Sequence, residues 1–157
     1  MIYMLSSINK INLKKLKDPF LIYKPKILKQ SVNYFKKNFS GEALYAVKAN
    51  PSKFVLKKIY ELGIRSFDVA SINEIKLVKN LFDNSKIFFM NPVKPRHVIN
   101  EAYHKYGVRD FSLDNDVELH KILESTGSAK DLNLHLRISV PNNFSKINLS
   151  KKFGTDG

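Results

Sequence analysis

The chain has 157 residues, 43% of them apolar, enough for a packed core within about one domain and too many for wholesale disorder. It contains no cysteine, which excludes disulfide frameworks, thiolate metal sites and cysteine nucleophiles. The formal charge of +13 is carried almost wholly by lysines scattered from Lys10 to Lys152, with only four arginines, so no arginine-rich stripe of a nucleic-acid reader is visible.

The opening Met1-Ile2-Tyr3-Met4-Leu5 is too short for the apolar region of a signal peptide, and its charges follow it. No apolar run approaches the length of a membrane span, so a soluble, cytoplasmic protein is expected. Residues 1–18, rich in lysine and asparagine, are predicted to be a flexible lead-in, with the folded domain over 19–157. Residues 20–23 give a short strand signal, and apolar residues at helical spacing predict a helix over 26–39. A strand then follows over 42–49, a helix over 52–62 ending at Gly63, and a strand over 65–70. The helix over 72–82 has Ser71 as its N-cap and Glu74 three residues later, a capping box. Beyond it come a strand over 86–90, a helix over 95–106 with Pro95 in its first turn, a strand over 110–113, a helix over 117–124, and a last strand over 132–140.

Five strands alternating with helices have the rhythm of right-handed βαβ units, so the predicted fold class is α/β with about five parallel strands, either doubly wound or the start of a barrel. Fully buried parallel strands read as near-continuous apolar runs. Here Leu132, Leu134, Leu136, Ile138 and Val140 alternate with Asn133, His135, Arg137 and Ser139, Phe67 and Val69 with Ser66, Asp68 and Ala70, and Ala46 shares a face with Lys48. A polar face inside a helix-covered sheet is costly unless it lines a ligand site.

Lys48 lies near the C-terminal end of its predicted strand, where active sites of parallel α/β folds collect. Desolvation between apolar neighbours is expected to lower the pKa of its amine, and a neutral amine condenses with carbonyls. His97, His104 and His120 show no ligand spacing, and His135 is a second-tier candidate on a polar strand face. No metal site is expected.

Tyr45-Ala46-Val47-Lys48-Ala49-Asn50-Pro51 resembles the pyridoxal-phosphate lysine strand of the fold-type III decarboxylases. Phe67-Asp68-Val69-Ala70-Ser71-Ile72-Asn73-Glu74-Ile75, Asn91-Pro92-Val93-Lys94, the run from Tyr106 to Asn115, Leu136-Arg137-Ile138 and Lys152-Phe153-Gly154 follow in the family's order and spacing. The resemblance is greatest to ornithine and lysine/ornithine decarboxylases. It implies that Lys48 is the catalytic, cofactor-binding lysine, that Asp68 and Glu74 approach the cofactor ring, and that Arg137 joins the polar network beside it.

By the same resemblance the activity is decarboxylation of ornithine to putrescine, in polyamine biosynthesis, on a small basic amino acid and by a homodimer. A diaminopimelate decarboxylase and a non-catalytic regulator of a decarboxylase are the alternatives. The fold that the resemblance implies is α/β, an incomplete (β/α)8 barrel with about five parallel strands; a complete barrel has eight strands in about 250 residues. The chain is therefore expected to be the N-terminal part of such an enzyme, inactive alone and prone to aggregate at its strand edges.

Overall fold

The structure, a computed structural model, describes residues 2–4, 21–139 and 154–155, and the chain divides into two compact units, Met1–Ala43 and Leu44–Gly157. In the first unit, β1 (Ile2–Met4) pairs in parallel with β2 (Leu21–Tyr23), and α1 (Pro25–Asn38) follows. Proline at the first helical position loses no hydrogen bond there, and Lys36 and Lys37 in the last turn oppose the negative end of the helix dipole. Apart from Ile2–Met4, the predicted lead-in lies outside the described residues.

The second unit runs β3 (Leu44–Ala46), a 3-10 turn (Val47–Ala49), α2 (Lys53–Glu61), β4 (Ser66–Val69), α3 (Ile72–Leu81), β5 (Lys86–Phe89), α4 (Arg96–Tyr106), β6 (Asp110–Leu113), α5 (Asp116–Ser125) and β7 (Asn133–Leu136). Its strands are all parallel and lie in the order of the sequence, β3-β4-β5-β6-β7. Right-handed crossovers that always step the same way put every helix on one face. That is the winding of a (β/α) barrel; a doubly wound sheet reverses its strand order partway.

The helix-facing side forms the core. Phe67, Val69, Ile75, Val78, Ile99, Ala102, Phe111 and Ile122 are completely inaccessible, as are Val47 and Leu56. Burying each large apolar side chain stabilises the fold by about 1.5–3 kcal/mol. Three glycines close helices in the left-handed conformation that side-chain-bearing residues avoid: Gly63 at φ 93° after α2, Gly107 at φ 66° after α4 and Gly127 at φ 67° after α5. Among the described residues no helix is long and apolar enough to cross a membrane.

Most element ends shift by about a residue from expectation, and three of the differences have a visible local form. The strand predicted over 42–49 is confined to Leu44–Ala46, because the chain tightens into the 3-10 turn at Val47. Pro95 caps α4 from outside instead of opening it. The last strand stops at Leu136, and beyond it a single bridge joins Ile138 to Thr155.

Candidate functional site

Strand alternation sends Ala46, Ser66, Asp68, Phe88, Asp110, Ser112, Asn133 and His135 to the face opposite the helices. The register sets Ala46 beside Asp68, Asp68 beside Phe88, and Phe88 beside Asp110. This face is the inner wall of the barrel arc, and its C-terminal end carries the residues singled out in the sequence.

Lys48 sits in the turn that closes β3. Val47 is wholly buried, whereas Lys48 is exposed. The expected desolvated amine is therefore corrected: the turn lifts Lys48 beyond the strand, clear of its apolar neighbours. The surrounding motif holds that turn. The Tyr45 hydroxyl donates to the Asn50 carbonyl at 3.3 Å, and the Asn50 side chain accepts from the Ser52 N–H at 3.1 Å. Tyr45 packs against the core, and burial pushes its phenol above the usual range.

Asp68, on the neighbouring strand, is half-buried. Burial raises its carboxyl above the ordinary range, and the Lys48 charge partly offsets this. Two strands that are adjacent in the sheet thus bring an ammonium and a carboxyl under each other's influence at one end of the inner face.

Glu74 takes a local role. Its N–H donates to Ser71 Oγ at 3.3 Å, and its Oε2 accepts from the Ala70 N–H at 2.8 Å. The predicted capping box forms with its return bond one residue earlier than usual. This leaves Glu74 fixed at the rim of β4, two residues beyond Asp68. Arg137, at the end of β7, is exposed; its N–H donates to the Leu113 carbonyl at 2.8 Å and its own carbonyl accepts from Thr155 at 2.9 Å. Asp68 and Lys48 are brought together, while Glu74 and Arg137 are placed on the same end of the sheet.

Sequence reasoning missed two pairs, one of them fully buried. Lys94, quoted only as part of a motif, is fully buried. Its Nζ lies 2.9 Å from Glu118 Oε1 and donates to the carbonyls of Asn91 at 2.8 Å and Ser112 at 2.6 Å. Burial depresses its pKa, and Glu118 pulls it back up. Glu118 follows the N-cap Asn115, whose side chain accepts from the Glu118 N–H at 2.8 Å, and it also pairs with Lys121. On the inner wall, buried Asp110 meets His135 Nε2 at 3.0 Å. A lysine after a strand and an Asn-x-x-Glu cap were readable signals; their meeting was not.

Among the described residues no cluster of His, Asp or Glu could hold a metal ion. An accessible amine with an adjacent carboxyl suits an aldehyde-bearing cofactor. The buried Ser112 hydroxyl, without a hydrogen-bond partner on the same face, leaves further polar capacity there. The residues fit such a group.

Comparison with known proteins gives the same reading. Residues 26–157 match the pyridoxal-binding domain of pyridoxal-dependent decarboxylases, a domain whose cofactor is pyridoxal phosphate. A lysine/ornithine decarboxylase of Selenomonas ruminantium is 32% identical over 143 residues, 90% of this chain and 35% of that protein. Antizyme inhibitor 2 of Xenopus laevis is 34% identical over 149 residues, 94% of this chain and 32% of the inhibitor. The crystal structure of the Paramecium bursaria Chlorella virus arginine decarboxylase bound to agmatine superposes with a TM-score of 0.74 at 28% identity, covering 84% of this chain and 35% of that one. The chain spans about a third of the length of these relatives.

Proposed function

The chain belongs to the pyridoxal-dependent decarboxylases, and from that membership we propose that Lys48 is the residue that binds pyridoxal phosphate covalently in an ornithine-type decarboxylase. The observation that carries this reading is that the Lys48 charge acts on Asp68 at the C-terminal end of the inner face, where Asp68 lies in register with Ala46. When bound, the cofactor delocalises the electron pair left behind as a substrate carboxylate departs as CO2.

The chain's own residues have distinct tasks. Lys48 offers an amine that solvent and a carbonyl compound both reach. Asp68, near enough for the Lys48 charge to act on it and with its own pKa raised, is a proton acceptor better matched to neutral pH than an ordinary carboxylate. Glu74 keeps the rim of β4 in place through the Ala70 N–H. Arg137 supplies positive charge at the same end for an anionic group.

The substrate favoured is ornithine, converted to putrescine in polyamine biosynthesis, because the similarity includes a lysine/ornithine decarboxylase. A small basic amino acid, a homodimer and a cytoplasmic setting belong to the same proposal. The alternative of a diaminopimelate-type enzyme differs only in substrate. Similarity to an antizyme inhibitor favours a second reading, a regulator of a decarboxylase.

Borohydride fixation of pyridoxal phosphate followed by peptide mapping tests the assignment. Label on Lys48, lost in Lys48→Arg, is expected; label elsewhere with Lys48 unmodified overturns it. A chain that takes no label but co-purifies with a decarboxylase supports the regulator.

A further inference from the structure

The buried Lys94 ammonium touches no solvent, and neither Lys48 nor Asp68 is among its bonded partners. It nevertheless ties together the C-terminal ends of two strands and the first turn of a helix. Its Nζ binds the Asn91 carbonyl just beyond β5 and the Ser112 carbonyl on β6, while Glu118 links it to the first turn of α5. Glu118 also accepts from the Lys94 backbone N–H at 3.2 Å. From Asn91 the connection continues: its side-chain amide donates to the Ala70 carbonyl at 3.4 Å, and the Ala70 N–H donates to Glu74 at 2.8 Å. Ala70 lies two residues past Asp68 on the inner-face alternation of β4.

A packed apolar pair of similar volume would fill the same space without removing two charges from water. What an ammonium adds is direction. It turns the Asn91 and Ser112 carbonyls toward itself and fixes the Asn91 peptide, from which the side chain reaches across to β4. We infer that the Lys94–Glu118 pair, acting through Asn91 and Ala70, is a positioning device that sets the rim of β4, and with it Asp68, against Lys48 for cofactor binding. This inference rests on the Lys48 reading above.

The test uses the 157-residue chain with three variants: Lys94→Met combined with Glu118→Leu, Asn91→Ala, and all three changes together. Pyridoxal phosphate is titrated by absorbance, and the labelled lysine is mapped after borohydride reduction. Amide exchange at Ala70 and the unfolding midpoint are measured without the cofactor. The paired variant is expected to unfold near the wild-type midpoint yet bind pyridoxal phosphate at least tenfold more weakly, with Ala70 exchange at least tenfold faster.

Asn91→Ala, which leaves the buried pair intact, should show the same losses, and the triple variant little more. A purely structural pair would move the midpoint and leave the dissociation constant alone. Folded variants that label Lys48 with affinity within twofold of wild type overturn the inference. Should the paired variant not fold, Asn91→Ala decides by the same criteria. Wild-type label away from Lys48 overturns the site assignment itself, and is distinguished from failure of the relay by the mapping.

Discussion

Lys94 and Glu118, 24 residues apart in sequence, meet at 2.9 Å with their side chains 0% and 3% exposed. The pair joins the loop after β5 to the first turn of α5, so its two charges depend on each other for compensation. Removing only one strands the other in a low-dielectric site. Lys94→Met should therefore cost about 3–5 kcal/mol, with Glu118 left only Lys121 as an ionic partner among the described residues. Changing both to apolar residues should return stability to within ~1 kcal/mol of wild type, or above it. Chemical denaturation of the two single variants and the paired one checks this; a paired loss equal to the sum of the singles would contradict it.

Asp68 gives a pH signature. Its folded pKa is raised above 3.8 by burial, with Lys48 opposing, so between those limits the folded chain binds more protons than the unfolded one. Stability from this group is fully present below 3.8 and is lost as pH rises through the folded pKa. Asp68→Asn should match wild type at the acid end and exceed it at neutral pH. The gain stays under ~1 kcal/mol because the carboxyl is only half-buried and solvent screens it. Urea titrations at a series of pH values measure the difference; a variant less stable than wild type at neutral pH would mean that the Lys48 attraction outweighs burial.

Helix entry at the site end of the sheet is set by Ser71 and Asn115. Each side chain accepts the N–H of the glutamate three residues on, at 3.3 and 2.8 Å respectively. Ser71→Ala and Asn115→Ala should each lower stability by about 1 kcal/mol. Asn115→Ala should also perturb Lys94, because Glu118 is held by that cap; a nitrogen-detected shift at Lys94 Nζ in this variant but not in Ser71→Ala is the expected pattern.

Gly154 closes on the end of β7. At φ +111°, a Cβ there would stand 2.6 Å from the Ser139 nitrogen and 3.0 Å from the Ile138 carbonyl carbon. Gly154→Ala should open the Ile138–Thr155 bridge at a cost of about 1–3 kcal/mol. Faster amide exchange at Ser139 and Thr155, whose N–H groups donate to the Thr155 and Arg137 carbonyls, reports it directly. Unchanged exchange at both would show that the bridge tolerates a side chain.

Much of the fold was readable because local signals agreed. Gly63 and Gly107 mark helix ends, Ser71 with Glu74 marks a start, and the Phe67/Val69 alternation tells the helix side from the inner wall. Strand order is not a local property: the even rhythm of strands and helices fits a doubly wound sheet as well as a barrel, and only the polar face of the strands and the family resemblance favoured the singly wound arc. The site was legible where one short stretch carries the chemistry, as around Lys48. It was not where partners are distant: one buried lysine among 23 looks like any other until Glu118 arrives, and Asp110 finds His135 only through strand pairing. The exposure of Lys48 escaped notice because period-two alternation does not say where a strand gives way to a turn.

The step from wholly buried Val47 to solvent-facing Lys48 also guards against misfolding. A one-residue slip of this segment would drive an ammonium into hydrocarbon while stripping valine of its cover, two penalties of the same sign. Errors of threading are therefore penalised at this position. The amine's address is thereby enforced by its neighbour's hydrophobicity, before any ligand arrives.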